Sequence, residues 1–188
     1  MKTYISVFDN AIPSLFCDQL INKFERNEER EQEHTDWDNR HFMEVNLTSH
    51  KTWARENDLM VNIIGQVTRQ YMDTHSIVQN SQWPKTFGYE QFRMKRYLPN
   101  GKDEFAFHTD VGSYASARRF LAFLFYLNEV PEGGKTVFAY SPESEPFFTV
   151  TPKRGSVLVF PPLWMYPHWG EKVVGGPKYI VSAYLHYL

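Results

Sequence analysis

The chain contains one cysteine, Cys17, so no disulfide can form within it. Cys17 falls at an apolar position of a predicted helix, where a packed thiol is expected rather than a catalytic one. No run of about 18 apolar residues occurs, which argues against a membrane-spanning helix. Met1-Lys2-Thr3-Tyr4-Ile5-Ser6 also lacks the apolar stretch of a secretory leader, so a soluble, cytoplasmic protein with no membrane partner is expected. Charge of one sign is missing as well. Twenty lysines and arginines against 22 acidic residues leave a formal charge of -2, mixed along the chain, which provides no broad positive field for a phosphate backbone and makes nucleic acid a poor partner. There is no internal repeat or low-complexity tract. At 188 residues the chain is expected to be one domain, 1–188, too short for a second catalytic unit.

What is present is patterned. Pro13 or Ser14 can open a helix in which Leu15, Phe16, Leu20, Ile21 and Phe24 lie near helical spacing. A second helix is predicted from about Trp53 to Thr74, with Leu59, Ile63, Val67 and Tyr71 recurring every four residues. The stretch between them, roughly 27–52, is charged and aperiodic and holds His34, Trp37, His41 and His50. It reads as a solvated surface loop, or as a lid over a substrate. From Phe87 onward short strands are predicted at Phe87–Leu98, Phe105–Asp110, Phe120–Asn128, Thr136–Phe138, Phe147–Thr151, Ser156–Phe160 and Tyr179–Tyr187. Turns such as Pro99-Asn100-Gly101-Lys102 and Glu132-Gly133-Gly134 separate them. The expected class is mainly β (α+β), an antiparallel jelly roll over 85–188 braced by helices within 1–80. Aromatic residues make up 16% of the chain and would supply buried area to such a core.

Within that pattern stands His108-Thr109-Asp110, followed by His168 in Pro167-His168-Trp169-Gly170. Residues two apart on a strand share a face, so His108 and Asp110 can both reach one ion, with His168 arriving from another strand. Two imidazoles and one carboxylate are the ligand set of non-haem iron oxygenases, and they leave three positions of an octahedral ion open. A lone strand histidine is more often packed than liganding, and the surrounding segments decide between the two. They are Arg119-Phe120-Leu121-Ala122-Phe123-Leu124-Phe125-Tyr126-Leu127-Asn128, then Glu132 to Phe138, then Pro152 to Phe160. With the histidines they resemble, in order and spacing, the prolyl 4-hydroxylase-like branch of the 2-oxoglutarate and iron-dependent dioxygenases, over about Tyr89 to Tyr187.

The resemblance implies the double-stranded β-helix form of the jelly roll, with His108, Asp110 and His168 as catalytic metal ligands. It implies Fe(II), 2-oxoglutarate and O2 as cofactor and co-substrates, with L-ascorbate as an optional accessory. Lys178, ten residues after His168, matches the basic residue that pairs with the distal carboxylate of 2-oxoglutarate. Tyr126 matches a hydroxyl donor to the same carboxylate, Tyr97 a tyrosine lining the pocket, and Thr136 and Arg119 stand at family-like positions. Asp110 separates this chain from related halogenases, which carry a small residue there. Alkylated-base demethylases show an arginine-rich stretch after the second histidine, whereas this window holds only Lys172 and Lys178. Two departures stand out: Phe105 where many relatives have tyrosine, and Lys172-Val173 in place of Pro-Val.

The substrate implied is a prolyl or similar residue of a protein or peptide, and a free amino acid or other small molecule is the alternative. Arg93, Lys95 and Arg96 could hold a substrate carboxylate or face solvent. A non-catalytic jelly-roll module that binds metal or 2-oxoglutarate would have no need to keep His108, Asp110, His168 and Lys178 together. A hydrolytic zinc enzyme would have no use for Lys178 and Tyr126.

Overall fold

Short apolar runs bounded by turn residues can bury both faces of a strand when helices cover one side of a sheet and a second layer covers the other, and that is the arrangement found. The computed structural model describes residues 3–35, 40–79 and 81–188. In chain order the elements are β1 (Ser6–Phe8), α1 (Ser14–Glu25), β2 (Glu31–Thr35), β3 (Arg40–Asn46), a 3-10 turn (Lys51–Trp53), α2 (Ala54–His75), β4 (Phe87–Tyr89) and β5 (Arg93–Tyr97). After them come β6 (Glu104–His108), β7 (Arg119–Tyr126), β8 (Thr136–Phe138), β9 (Phe148–Val150), β10 (Val157–Phe160), β11 (His168–Gly170) and β12 (Lys178–Tyr187). Hydrogen bonding runs β1-β10-β7-β12-β5-β3-β6-β11-β8-β9, with β2 added to β3 and β4 to β12. Every strand pair is antiparallel. Strands β10-β7-β12-β5 make one layer and β6-β11-β8-β9 the other, which is a jelly roll.

The long last strand shows the two-sided burial. Val181, Ala183 and Leu185 join Phe16, Leu20 and Phe24 of α1 and Met60, Ile64, Val67 and Tyr71 of α2 in one apolar cluster. The alternate residues Lys178, Ile180, Ser182 and Tyr184 line the cavity between the layers. Tyr126, Leu158, Phe160 and Phe138 belong to a second cluster inside the roll. Cys17 is fully buried on the inner face of α1, and burial pushes its thiol pKa up to about 11, in keeping with a packed side chain. Among the described residues no helix is long and apolar enough to cross a membrane.

Several expectations need correction. Residues 27–52 do not form a loop throughout: β2 and β3 make a hairpin, and β3 joins the two layers by pairing with β5 over Met43–Asn46 and with β6 at Arg40 and His41. Its charged residues concealed it, because Glu44 is satisfied by Arg93 and His41 by Asp103 while Phe42 and Val45 are buried. Trp37 lies outside the described residues, as does the side chain of His34. The expected strand Phe87–Leu98 is split into β4 and β5, since Phe92 turns inward and its N–H binds Thr48 Oγ1 at 3.0 Å. The buried face of α2 passes through Met60 and Ile64 rather than Leu59 and Ile63. A strict four-residue step overshoots a helical turn by ~40° and drifts off the stripe. Leu15, expected on the packing face of α1, is exposed. The three-residue strands β1 and β11 do not belong to the expected set.

Candidate metal centre

Strand β6 ends at His108, the chain bends at Asp110, and β11 brings His168 directly opposite His108 in the antiparallel register. One donor atom from each of the three lies within 4.8 Å of the others. His108 Nε2 is 3.7 Å from Asp110 Oδ1, and His168 Nε2 is 3.8 Å from Asp110 Oδ2. Both rings are turned by their own backbone: His108 Nδ1 binds Ala106 O at 2.7 Å and His168 Nδ1 binds Tyr166 O at 3.1 Å. A carbonyl can only accept, so each Nδ1 carries the proton and each Nε2 directs a lone pair at the shared point. His108 Nε2 is buried without a hydrogen-bond partner. A buried polar atom left unmatched is costly, and a metal ion at the shared point would satisfy it.

The electrostatics fit the same role. Burial, with the neighbouring His108, lowers the His168 pKa to about 4, so this imidazole is neutral at physiological pH, as a ligand must be. Burial by itself would raise the Asp110 pKa, but His168 and His108 together with the Tyr184 hydroxyl hold it below the usual carboxylate range. The rings of Phe138 and Phe160 pack against His168, and Phe105 stacks on His108 with centroids 3.6 Å apart. These rings form apolar walls beside the donor set.

Tyr184 and Arg119 orient Asp110, and sequence reasoning missed the first and gave the second no role. The Tyr184 hydroxyl donates to Asp110 Oδ1 at 2.6 Å. Burial and the adjacent Asp110 charge raise its pKa well above the ordinary value, so it stays a donor. Arg119 Nη1 donates to the Asp110 carbonyl at 3.1 Å, its guanidinium lies 4.1 Å over the Tyr184 ring, and Glu90 holds its far side at 2.8 Å. The available signal was parity: Tyr184 is six residues beyond Lys178 on one strand and therefore shares its face.

The remaining candidate residues gather at one end of the cavity. Lys178, Tyr97 and Thr136 line it, while Tyr126 stands behind, with its hydroxyl 2.7 Å from Thr136 Oγ1. Lys178 Nζ lies 5.6 Å from the Tyr126 ring and 5.9 Å from that of Tyr97. Burial lowers the Lys178 pKa to about 8, with Glu171 acting in the opposite direction. Of the three basic residues on β5, Arg93 is exposed and bound to Glu44, and Arg96 reaches Glu25 on α1 at 2.8 Å. Lys95 instead lines the cavity.

Residues 92–186 match the family model described as the 2OG-Fe(II) oxygenase superfamily. The chain belongs to that superfamily. Members take Fe(II) and 2-oxoglutarate, and the donor set described above suits such an ion. Among solved structures, the 2-oxoglutarate complex of a viral collagen prolyl hydroxylase from Paramecium Bursaria Chlorella virus-1 is 18% identical, with 99% of this chain and 97% of that chain covered and a TM-score of 0.71. A Pseudomonas putida prolyl-4-hydroxylase is 14% identical over 100% of this chain and 94% of its own, with a TM-score of 0.66. A Trichoplax adhaerens prolyl hydroxylase, in complex with a hypoxia inducible factor oxygen degradation domain peptide fragment, is 12% identical over 98% and 84%, with a TM-score of 0.77. At these identities the likeness is one of fold, and it is the jelly roll of the prolyl hydroxylases. Among curated proteins no sequence matches the chain.

Proposed function

We propose that residues 1–188 form one catalytic domain that hydroxylates an unactivated C–H bond, with a prolyl or similar residue of a protein or peptide as the leading substrate. The observation that carries this reading is the meeting of His108, Asp110 and His168 with a buried lysine, Lys178, in one cavity between the sheet layers. His108, Asp110 and His168 would hold Fe(II) and Lys178 the distal carboxylate of 2-oxoglutarate. When bound, iron and 2-oxoglutarate supply the oxidation, in which one oxygen atom of O2 enters the C–H bond and the other enters succinate as CO2 is released.

The chain's own part is binding and orientation. Lys178 meets a carboxylate with a buried charge, and Thr136 backs it by fixing the Tyr126 hydroxyl. Tyr184 and Arg119 prevent Asp110 from turning away, and the Phe105, Phe138 and Phe160 rings keep the site dry. Asp110 fills the position that a halide would need, so hydroxylation is the expected outcome. A peptide bound by the Trichoplax neighbour supports a peptide substrate here. Lys95 favours the second reading, a small acid or free amino acid.

Succinate formation from 2-oxoglutarate under oxygen with added ferrous iron tests the proposal, comparing wild type with Asp110→Ala, first alone and then with proline-containing peptides and free amino acids. Turnover in wild type that is lost in the variant is expected. Absence of both turnover and 2-oxoglutarate binding in metal-loaded wild type would leave only the binding-module reading.

A further inference from the structure

Lys95 is a second ammonium in the cavity, and the chemistry assigned above leaves it without a counter-ion. It is 8% exposed, and its Nζ lies 4.9 Å from the Phe42 ring and 5.6 Å from the Phe105 ring. Among the described residues it has no hydrogen-bond or ion-pair partner. The carboxylate across the strand pair, Glu44, is engaged by Arg93. Asp110 is bonded to Tyr184 and faces the two histidines. Two aromatic faces offset only part of the desolvation of a buried ammonium. Burial lowers its pKa, while Glu44 and Asp110 act the other way.

Position along the sheet sets Lys95 apart from Lys178. Tyr97 pairs with Lys178 and Lys95 with Ile180, so Lys95 is one inward step, ~7 Å of strand, away from the residue assigned to 2-oxoglutarate. A divalent ion held by Asp110 would add positive charge to the same cavity, and among the described residues no carboxylate is bonded to Lys95, which leaves room for an anion carried by a bound molecule. Of the guanidiniums whose charge reaches it, Arg93 is engaged by Glu44 and Arg40 by Glu33, and an ammonium suits a single negative charge better than a phosphate.

We propose that Lys95 reads a carboxylate on the primary substrate, so that the molecule hydroxylated is an acid whose C–H bond faces His108, Asp110 and His168 while its carboxylate meets Lys95 Nζ. This rests on the oxygenase reading and narrows it. The carboxylate belongs either to a free amino acid or to an Asp or Glu side chain of a peptide.

Calorimetric titration of the full chain loaded with Mn(II) and 2-oxoglutarate tests the proposal with matched probes. One arm uses free L-amino acids against their carboxamides. The other uses end-blocked peptides containing Asp or Glu against the same peptides with Asn or Gln. In one arm the acids should bind at least ten-fold more tightly than the amides. Lys95→Met should erase that ratio, and Lys95→Arg should retain part of it. Equal binding of acid and amide to wild type, no binding of any acid in either arm, or an unchanged ratio in Lys95→Met each overturns the assignment. Should Lys95→Met prove misfolded by circular dichroism, the ratios in wild type and Lys95→Arg still decide. Failure of Mn(II)-loaded wild type to bind 2-oxoglutarate, titrated first by the same calorimetry, would instead sink the parent reading, and the two failures are therefore distinct.

Discussion

Replacing Lys178 by methionine should make the protein more stable and a poorer binder of 2-oxoglutarate. The ammonium is 5% exposed and its pKa falls from 10.5 to about 8, which corresponds to on the order of 3 kcal/mol against the charged form in the folded state. Because the folded pKa is depressed in a basic group, that cost is complete below pH 8 and fades between about pH 8 and 10.5, where the unfolded chain alone still holds the proton. Methionine fills similar space without charge. At pH 7 the variant should therefore gain about 1–3 kcal/mol after the lost ring contacts are subtracted, a rise in Tm of a few degrees for a chain of this size. The gain should shrink above pH 8. A distal carboxylate left in the same pocket without its buried partner loses about 2–5 kcal/mol, a Kd raised roughly 30-fold or more. Scanning calorimetry of both proteins with Mn(II), with and without 2-oxoglutarate and across pH 7 to 10, reads both effects. Wild-type affinity in the variant, or a clear fall in its Tm at pH 7, would refute the assignment of Lys178.

Tyr184→Phe removes the 2.6 Å hydrogen bond to Asp110 and should weaken metal binding by about 10- to 100-fold, read by Mn(II) titration; unchanged affinity would show that the tyrosine does not orient the carboxylate. Thr136→Val strips the buried Tyr126 hydroxyl of its 2.7 Å partner and should cost about 1–3 kcal/mol in urea unfolding, and a neutral result would imply that the hydroxyl has another partner. Gly133 has φ +74, and a Cβ there would meet Lys172 O at 2.2 Å. Gly133→Ala should therefore destabilise the turn before β8 by about 1–3 kcal/mol or more in the same assay, and wild-type stability would contradict that geometry.

The class of fold and the donor set were legible along the chain because both depend on short-range regularities. Strand period and turn residues marked out β6 to β10 and β12 to within two residues, and the helices followed from their apolar spacing. His108 and Asp110 declare themselves by being two apart. The order of segments around them resembles an oxygenase because the same roll needs the same punctuation. Where period failed, the reason was equally local: β3 carries charges that are neutralised only across strands, by Arg93 and Asp103, so nothing in its own seven residues marks it as the seam between the layers.

Other features existed only after folding. Which of three neighbouring basic residues enters the cavity was decided by pairing: Arg96 turns to Glu25 on α1, Arg93 stays at Glu44 near the surface, and Lys95 is left inside. Tyr184 and Arg119 became part of the metal centre because β12 and β7 lie side by side in the sheet, pairing Tyr184 with Ala122 and His186 with Arg119. A sequence can specify that a histidine and a carboxylate share a face, since that follows from backbone geometry over two residues. It cannot show which charges will find partners, since a counter-ion is usually supplied by a strand or helix far away in the chain, and a charge without a bonded partner among the described residues, like that of Lys95, becomes visible only in the folded chain.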